Sequence, residues 1–393
     1  MTPTADHSPP QVPDPARLAQ VQALGDLHEP YAHGAAADAL FLAAMNEILD
    51  WHRQRNPFYA RLLDQHGLRD ARVASIADCA ALPPIHANFF KTHEVCSVAP
   101  EDVVLHLTSS GTTGQKSQMF FDAWSIGAGQ AMVEKIFRHY GWIQDTAVNY
   151  LLVSYEPQPN MKTGTSWTDH SLMRYAPAHD ARYVLRATGS GGHEFDIFGT
   201  IRALQDFAEQ GLPVRIFGFP AFVNATLERM RALGLPPLTL APGSMTFFGG
   251  GWKGQADKAI PKAQLQARIE EQLGIPTALV RDGFGSVEHS VPYVECPRHR
   301  FHVPVWSRVV VRDVATLALL PAGQPGFLHF LAPYFTAAPT QSVLMGDLAT
   351  WYPGETCGCG LAAPWFDLLG RAGQGKNRSC AVAAAELLKG NAA

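Results

Sequence analysis

The chain has 393 residues, of which 47% are hydrophobic and 17% charged, so we expect a large buried core and exclude a disordered or fibrous protein. Its formal net charge is -4 and it contains no basic block, which argues against nucleic acid as a partner. No apolar run approaches the roughly 20 residues that a membrane-spanning helix needs, and no apolar signal segment is found near the amino terminus. We therefore expect a cytoplasmic globular protein that does not span a membrane.

The first 14 residues contain four prolines and predict a disordered leader. Apolar residues then recur at helical spacing over 35–68, with Pro57 as a break, which predicts two helices. Short β-rich runs alternate with helical runs as far as about residue 281, a pattern typical of layered α/β folds. The predicted elements are strands at 103–108, 150–155, 214–217, 245–248 and 279–281, and helices at 123–140, 197–209, 221–233 and 256–273.

After Glu288 the composition changes. Predicted strands at 301–311, 326–331 and 342–350 are joined by turns rich in proline and glycine, with no long helix between them. We therefore expect a β-rich subdomain over about 289–371.

The strongest chemical signal is a loop that follows the predicted strand 103–107. It is rich in glycine and hydroxyl residues, a composition that places backbone N–H groups and hydroxyls around a phosphate. Because Gln115 precedes Lys116 where a Walker A loop has glycine, the loop is of another type. A polar hairpin turn is the alternative interpretation. The predicted phosphate-binding residues are Ser109, Ser110, Gly111, Thr112, Thr113 and Gly114.

Three further motifs follow in order: Phe284-Gly285-Ser286-Val287-Glu288, Gly346-Asp347 and Gly370-Arg371. With the loop at 109–114 they resemble the adenylate-forming superfamily, which includes acyl-CoA ligases and adenylation domains, over about residues 35–380. The resemblance implies an α/β fold with layered αβ sheets and a β-rich subdomain over residues 15–371, followed by a truncated C-terminal segment, 372–393.

The resemblance also implies a role for each motif. The loop at 109–114 would hold the phosphates of ATP, and Gly249, Gly250 and Gly251 would face the adenine and the carboxylate substrate. Phe284 and Gly285 would also contact the nucleotide, Glu288 would hold Mg²⁺, and Asp347 with Arg371 would bind the ribose hydroxyls. A carboxylate suits Mg²⁺, and Asp and Arg suit vicinal hydroxyls or phosphate.

Full-length members of the superfamily supply a catalytic lysine from a larger C-terminal subdomain, whereas only residues 372–393 follow Arg371 here. Lys116, Lys253 and Lys376 are the candidates for this role, and Lys253 is favoured. His289, beside Glu288, is either a positioning group or a structural histidine.

Within the superfamily, the segments 248–254, 287–296 and 378–380 resemble the acyl-protein synthetase (LuxE-type) branch. That branch implies that a long-chain fatty acid is adenylated, passed to the enzyme's own cysteine and delivered to a reductase partner. Cys380 is the expected nucleophile, since Lys376 and Arg378 would favour its thiolate; an ordinary exposed thiol is the alternative. An aryl acid substrate, an acyl- or aryl-CoA ligase of the phenylacetate-CoA ligase type, and a non-catalytic nucleotide-binding scaffold subunit remain open.

The other cysteines predict a metal site. Cys296 and His302 are six residues apart, and Cys357 and Cys359 form a Cys-Gly-Cys motif, so two close pairs offer the four ligands of a structural Zn²⁺ site. His299 competes with His302 for the fourth position, and reduced turn cysteines are the alternative. Cys79 and Cys96 are expected to be packing residues.

Overall fold

The computed structural model describes residues 9–108, 118–158, 171–189, 192–252 and 258–372. The chain divides into two compact units. The first unit comprises residues 1–136, 285–293 and 302–393, and the second comprises 137–284 and 294–301. The predicted β-rich segment therefore shares its unit with the amino-terminal helices.

The helices of the first unit begin with α1 (Ala19–Asp26), α2 (Ala35–Arg55), α3 (Pro57–Gln65) and α4 (Ile76–Ala81). Asn56 separates α2 from α3, and its side chain accepts a hydrogen bond from the backbone N–H of Tyr59 at 3.0 Å. Pro57 takes the first helical position, where its missing N–H costs nothing. The predicted pair of helices with a break at Pro57 is therefore confirmed. A longer helix, α5 (Ala123–His139), leads from this unit into the second.

A six-stranded sheet combines five strands from residues 301–371 with one short strand from the amino-terminal part of the chain. Its central strand β14 (Ser342–Tyr352) pairs antiparallel with β13 (Gly326–Leu331) on one edge. On its other edge β14 pairs antiparallel with β15 (Trp365–Arg371) and parallel with the two-residue strand β1 (Ile85–His86). The outer strands are β11 (Phe301–His302) and β12 (Arg308–Arg312).

The predicted strand 301–311 is thus two strands. The segment 303–307 leaves the sheet because Pro304 cannot donate a ladder hydrogen bond and instead accepts one from Ser307 N at 3.0 Å. A separate hairpin, β2 (Leu105–Thr108) with β3 (Gln118–Phe121), brackets the glycine-rich loop.

The second unit is built on a seven-stranded sheet. The strands are β4 (Val148–Tyr155), β5 (Ala178–Ala187), β6 (His193–Phe195), β7 (Val214–Gly218), β8 (Met245–Phe248), β9 (Val280–Phe284) and β10 (Tyr293–Val294). Their order in the sheet is β10-β9-β8-β7-β4-β5-β6. The neighbouring pairs from β5 through β4, β7 and β8 to β9 are parallel, as the βαβ alternation predicts.

Three helices of the second unit pack on this sheet: α6 (Ile197–Gln210), α7 (Pro220–Ala232) and α8 (Lys262–Leu273). Their apolar faces and the strands form one buried core, in which Phe207, Ile216 and Ile269 have no exposed surface. Gly218 has a φ of 126°, and a Cβ there would lie 2.3 Å from the carbonyl oxygen of Val153. Only glycine fits this close approach of β7 to β4.

The predicted leader needs a correction for residues 9–14, while residues 1–8 lie outside the described chain. Val12 is 3% exposed, and its backbone N–H donates to Gln22 Oε1 at 2.9 Å. Pro10 packs so closely on α5 that a Cβ at Gly127 would lie 2.7 Å from it. Although the segment is rich in proline, it packs against α1 and α5. These contacts replace the hydrogen bonds that it cannot make within a helix or sheet. None of the helices in the described residues is long and apolar enough to cross a membrane.

Candidate active site

Glu288 lies in a tight turn of the first unit over residues 286–290. Ser290 N donates to Ser286 O at 2.7 Å, and Ser290 Oγ donates to Val287 O at 2.9 Å. Ser290 has a φ of 57°, a conformation that few residues other than glycine adopt. Within this turn Glu288 is only 6% exposed, so its side chain is largely buried.

His289 anchors this turn in the core of the first unit. Its Nε2 lies 2.9 Å from the Tyr293 hydroxyl, which lies 2.5 Å from Ser307 Oγ, and its ring stacks on Phe330 with the centroids 4.4 Å apart. Burial lowers the pKa of His289 to about 3, so the ring is neutral at physiological pH. Of the two interpretations of His289, its burial favours the structural one, with the side chain fixing the turn that carries Glu288.

Asp347 and Arg371 are brought together across β14 and β15. They are paired in the register of the two strands, and Arg371 Nε lies 3.3 Å from Asp347 Oδ1. Burial raises the pKa of Asp347, and Arg371 opposes this shift. The Glu288 turn reaches the same strand, because Ser286 Oγ lies 3.9 Å from Met345 Sδ. Three predicted site residues of the first unit therefore lie on or against the segment 345–347 of β14 and its partner.

His86 is paired with the same strand, although it belongs to none of the sequence motifs. It is paired with Leu344 at the end of β1, on the edge of β14 that also carries Arg371. Burial and Lys91 lower the pKa of His86, and Glu288 raises it, so both charges act on the ring. No local signal marks this residue, because its place depends on a two-residue strand pairing with a distant part of the chain.

The glycine run of the second unit directly follows β8. Gly249 N donates to Gly218 O at 3.1 Å, which extends the pairing of β8 with β7. Gly250 and Gly251 then have φ values of 73° and 64°, a left-handed turn that favours glycine at both positions. Phe284 ends β9 in the same unit, and Gly285 begins the segment 285–293 of the first unit. The nucleotide contacts predicted for all these residues stay predictions.

An ionic cluster around the buried Glu295 lies in the second unit and does not belong to any of the sequence motifs. The Glu295 side chain has no exposed surface, accepts from Asp282 N at 3.0 Å and is hydrogen-bonded to Lys262 Nζ. Lys262 Nζ also lies 3.5 Å from Asp282 Oδ2. Burial raises the pKa of Asp282, Lys262 opposes this and Glu295 adds to it. The cluster joins the start of α8 to β9 and to the hairpin that follows β10.

The predicted metal ligands are close together. Cys296, His302, Cys357 and Cys359 each offer a ligand atom, and these atoms all lie within 4.8 Å of one another. His302 Nδ1 donates to Ala363 O at 2.7 Å, which leaves the Nε2 lone pair 3.2 Å from Cys359 Sγ. Arg298 N donates to Cys296 Sγ at 3.3 Å. In a tetrahedral zinc site such ligand atoms lie roughly 3.5–3.8 Å apart, so this donor set fits Zn²⁺. His299 is absent from the cluster and lies 3.7 Å from Glu295 instead.

Several predicted residues lie outside the described chain. They are the phosphate-binding loop Ser109, Ser110, Gly111, Thr112, Thr113 and Gly114, the lysines Lys116, Lys253 and Lys376, and the expected nucleophile Cys380. Their roles stay predictions.

Comparison with known sequences yields a family and two relatives. The profile of the family described as "Acyl-protein synthetase, LuxE" matches residues 29–389. A long-chain-fatty-acid–luciferin-component ligase of Vibrio harveyi is 22% identical over 284 residues, 72% of this chain and 71% of that protein. The ligase of the same name from Aliivibrio fischeri is 21% identical over 359 residues, 88% of each chain.

Comparison with solved structures addresses the fold. The open conformation of 2-hydroxyisobutyryl-CoA ligase, solved with 2-HIB-AMP and CoA, superimposes with a TM-score of 0.64 at 17% identity. The alignment covers 90% of this chain and 80% of that one. The predicted fold of adenylate-forming enzymes is therefore confirmed.

Proposed function

Because the chain belongs to the acyl-protein synthetase (LuxE) family, we propose that this AMP-forming ligase activates a long-chain fatty acid and transfers the acyl group to its own Cys380. The proposed substrate class comes from the names of the two relatives, which are long-chain-fatty-acid–luciferin-component ligases. The structural observation that carries the proposal is the convergence of Glu288, Asp347 and Arg371 on β14.

The proposed reaction has two steps. In the first, a carboxylate oxygen of the acid attacks the α-phosphorus of ATP, the bond to the β-phosphate oxygen breaks, and pyrophosphate leaves. In the second, the Cys380 thiolate attacks the acyl carbonyl, the bond to the AMP oxygen breaks, and AMP leaves with its electron pair. The thioester would then be delivered to a reductase partner.

The residues of the first unit suit the first step. Asp347 accepts hydrogen bonds from the ribose hydroxyls, and Arg371, which is more exposed, holds Asp347 and donates to the nucleotide. The largely buried carboxylate of Glu288 fits a divalent cation, since hard oxygen ligands are what Mg²⁺ prefers. When bound, Mg²⁺ supplies positive charge against the phosphates.

The test combines pyrophosphate exchange with intact mass. The protein is incubated with ATP, Mg²⁺ and a panel of fatty and aryl acids, using wild type, Cys380→Ala and the control Cys96→Ala. We expect a fatty acid to drive exchange in all three, and a hydroxylamine-labile acyl mass on wild type and Cys96→Ala only. Exchange without an acyl-protein, together with CoA-dependent turnover in Cys380→Ala, would favour a CoA ligase. No exchange with any acid would leave a nucleotide-binding scaffold.

We also propose that Cys296, His302, Cys357 and Cys359 hold a structural Zn²⁺ ion. The proposal is supported by the closeness of the four ligand atoms and by the hydrogen bond that fixes the His302 tautomer. The site fixes the turn 357–360 against the strand that carries His302, and this stabilises the β-rich half of the first unit.

Metal analysis of the purified protein tests this site. We expect one zinc per chain in wild type and in Cys79→Ala, and loss of zinc with a lower melting temperature in Cys357→Ser. A chelator should release the zinc and make three further thiols reactive. A wild-type protein that carries no zinc and takes none up after reconstitution would refute the proposal.

A further inference from the structure

The hydrogen bonding of His86 fixes the position of its proton. Nδ1 accepts a hydrogen bond from the backbone N–H of Asn88 at 3.1 Å, which caps the 3₁₀-helix Ala87–Lys91. Since Nδ1 serves as the acceptor, the proton of the neutral ring is on Nε2. In the part of the chain that the structure describes, Nε2 makes no hydrogen bond, so the ring offers one unused N–H donor.

The backbone places this donor beside the proposed site. β1 and β15 occupy the same edge of β14, with His86 paired to Leu344 and Arg371 paired to Asp347. The two residues between these pairs are also engaged: Ser286 of the Glu288 turn contacts Met345, and Ala372 N donates to Gly346 O at 2.9 Å. His86, the Glu288 turn and residues 371–372 at the end of β15 are therefore partners of four consecutive residues of β14, 344–347.

The charges around the ring suit a phosphate. Lys91 and Glu288 both act electrostatically on His86, Lys91 lowering its pKa and Glu288 raising it. Glu288 can only accept hydrogen bonds or bind a cation, and Asp347 is likewise an acceptor. His86 is paired with the same strand as Asp347, and its neutral N–H is a hydrogen-bond donor, which a phosphoryl oxygen requires and a carboxylate does not provide.

We propose that His86 is a catalytic residue of the adenylation step, whose Nε2–H donates a hydrogen bond to a phosphate oxygen of ATP. The bond strengthens as negative charge builds on the phosphates during attack by the carboxylate, so it stabilises the transition state more than bound ATP. This inference rests on the proposed adenylation and adds a residue that the sequence motifs do not contain.

Two substitutions distinguish the role of Nδ1 as the helix-capping acceptor from the role of Nε2 as a hydrogen-bond donor. His86→Asn keeps an acceptor near the position of Nδ1, where asparagine is a good helix cap, and lacks the Nε2 donor. His86→Gln keeps a donor near the position of Nε2 and loses the cap. We expect His86→Asn to melt near the wild-type temperature with its exchange rate lowered about tenfold to a hundredfold. His86→Gln should melt lower and retain most of the rate.

The experiment measures pyrophosphate exchange at saturating ATP and the melting temperature of each variant, with His93→Asn as the control. His93 is an exposed histidine just after the same 3₁₀-helix, and its substitution should change neither quantity. Equal rates in His86→Asn and wild type, or equally low rates in both His86 variants, would overturn the inference. Absence of exchange in wild type would instead contradict the proposed function itself, so the two failures are distinguishable.

Discussion

At Asp347 the stability of the fold and the proposed chemistry favour different side chains. Burial raises the pKa of this carboxyl, which means that the fold destabilises its charged form. Arg371 compensates only in part, because its own side chain is 57% exposed and the ion pair is screened by solvent. The proposed binding of ribose hydroxyls requires the charged carboxylate as a hydrogen-bond acceptor, even though burial of that charge lowers the stability of the fold.

We therefore predict that Asp347→Asn leaves the melting temperature unchanged or raises it, while the KM for ATP rises about tenfold to a hundredfold. The expected rise in KM corresponds to the loss of a charge-assisted hydrogen bond, which contributes about 1.5–3 kcal/mol to binding. The measurement is pyrophosphate exchange against ATP concentration, alongside thermal unfolding. Asp313→Asn, in the turn 313–316 of the same unit, is the matched control and should leave the KM unchanged. A variant with a wild-type KM would show that Asp347 does not contact the nucleotide.

At the scale of the element, the sequence predicts structure best where a periodic apolar face is buried. The predicted strands 245–248 and 326–331 agree with β8 and β13 residue for residue, and the predicted helices 123–140 and 197–209 agree with α5 and α6 to within one residue. β5 was missed because only Val184 and Leu185 are buried in its ten residues, so it has no apolar alternation.

The motifs of the candidate site can be predicted from the sequence, but the contacts among their residues in the folded chain cannot. The order of Glu288, Asp347 and Arg371 can be read along the chain, whereas the pairing of Asp347 with Arg371 depends on the antiparallel register of β14 and β15. His86 and the Lys262–Asp282–Glu295 cluster come from strand neighbours and a hairpin that no local pattern specifies. The four candidate metal ligands could be selected from the sequence because their spacing within each pair is local, and the fold brings the two pairs together.

The Lys262–Glu295 pair gives a prediction about the elements that it joins. Glu295 has no exposed surface, so removal of its ammonium partner leaves a buried charge that accepts a hydrogen bond from the backbone N–H of Asp282, with His299 Nδ1 3.7 Å away. We predict that Lys262→Ala lowers the free energy of unfolding by about 3 kcal/mol. This is the low end for a buried pair, because the Lys262 side chain is 43% exposed.

Urea unfolding at pH 7.5 measures this effect, with Lys258→Ala as the control. Lys258 is an exposed lysine four residues before Lys262, and its substitution should change the free energy of unfolding by less than about 0.5 kcal/mol. Lys262→Met tests the charge separately from the packing of the side-chain stem and should be nearly as unstable as Lys262→Ala. Equal stability of both Lys262 variants and wild type would mean that Glu295 is satisfied without the lysine.

At the scale of the whole molecule, buried histidines are concentrated in the first unit. His52, His289 and His329 have at most 1% exposure, and burial lowers the pKa of each from 6.5 to about 3. His52 is held between Ser97 Oγ at 2.9 Å and Phe335 O at 3.0 Å, and His329 Nε2 lies 2.9 Å from Ser342 Oγ. Each ring is neutral in the folded chain and becomes charged when the chain unfolds in acid.

The sign of the pH dependence follows from these shifts. Below pH 6.5 these histidines bind protons in the unfolded chain but not in the folded chain. The free energy of unfolding therefore falls as the pH falls, until the pH reaches the pKa of about 3 that the histidines have in the folded chain. Each histidine contributes a slope of about 1.4 kcal/mol per pH unit within this window. The raised pKa values of Glu47 and Asp347 in the same unit, and of Asp282 in the second, act in the opposite direction.

We therefore predict that acid unfolds the first unit before the second. Hydrogen exchange followed by mass spectrometry between pH 7 and pH 4.5, corrected for the intrinsic pH dependence of exchange, should show peptides from 9–108 losing protection while those from 192–252 keep it. His52→Asn should lower the proton uptake on unfolding at pH 5 by about one, whereas His66→Asn, at an exposed position, should leave it unchanged. Simultaneous loss of protection in both units, with the same proton uptake in both variants, would place the acid sensitivity elsewhere than in these buried rings.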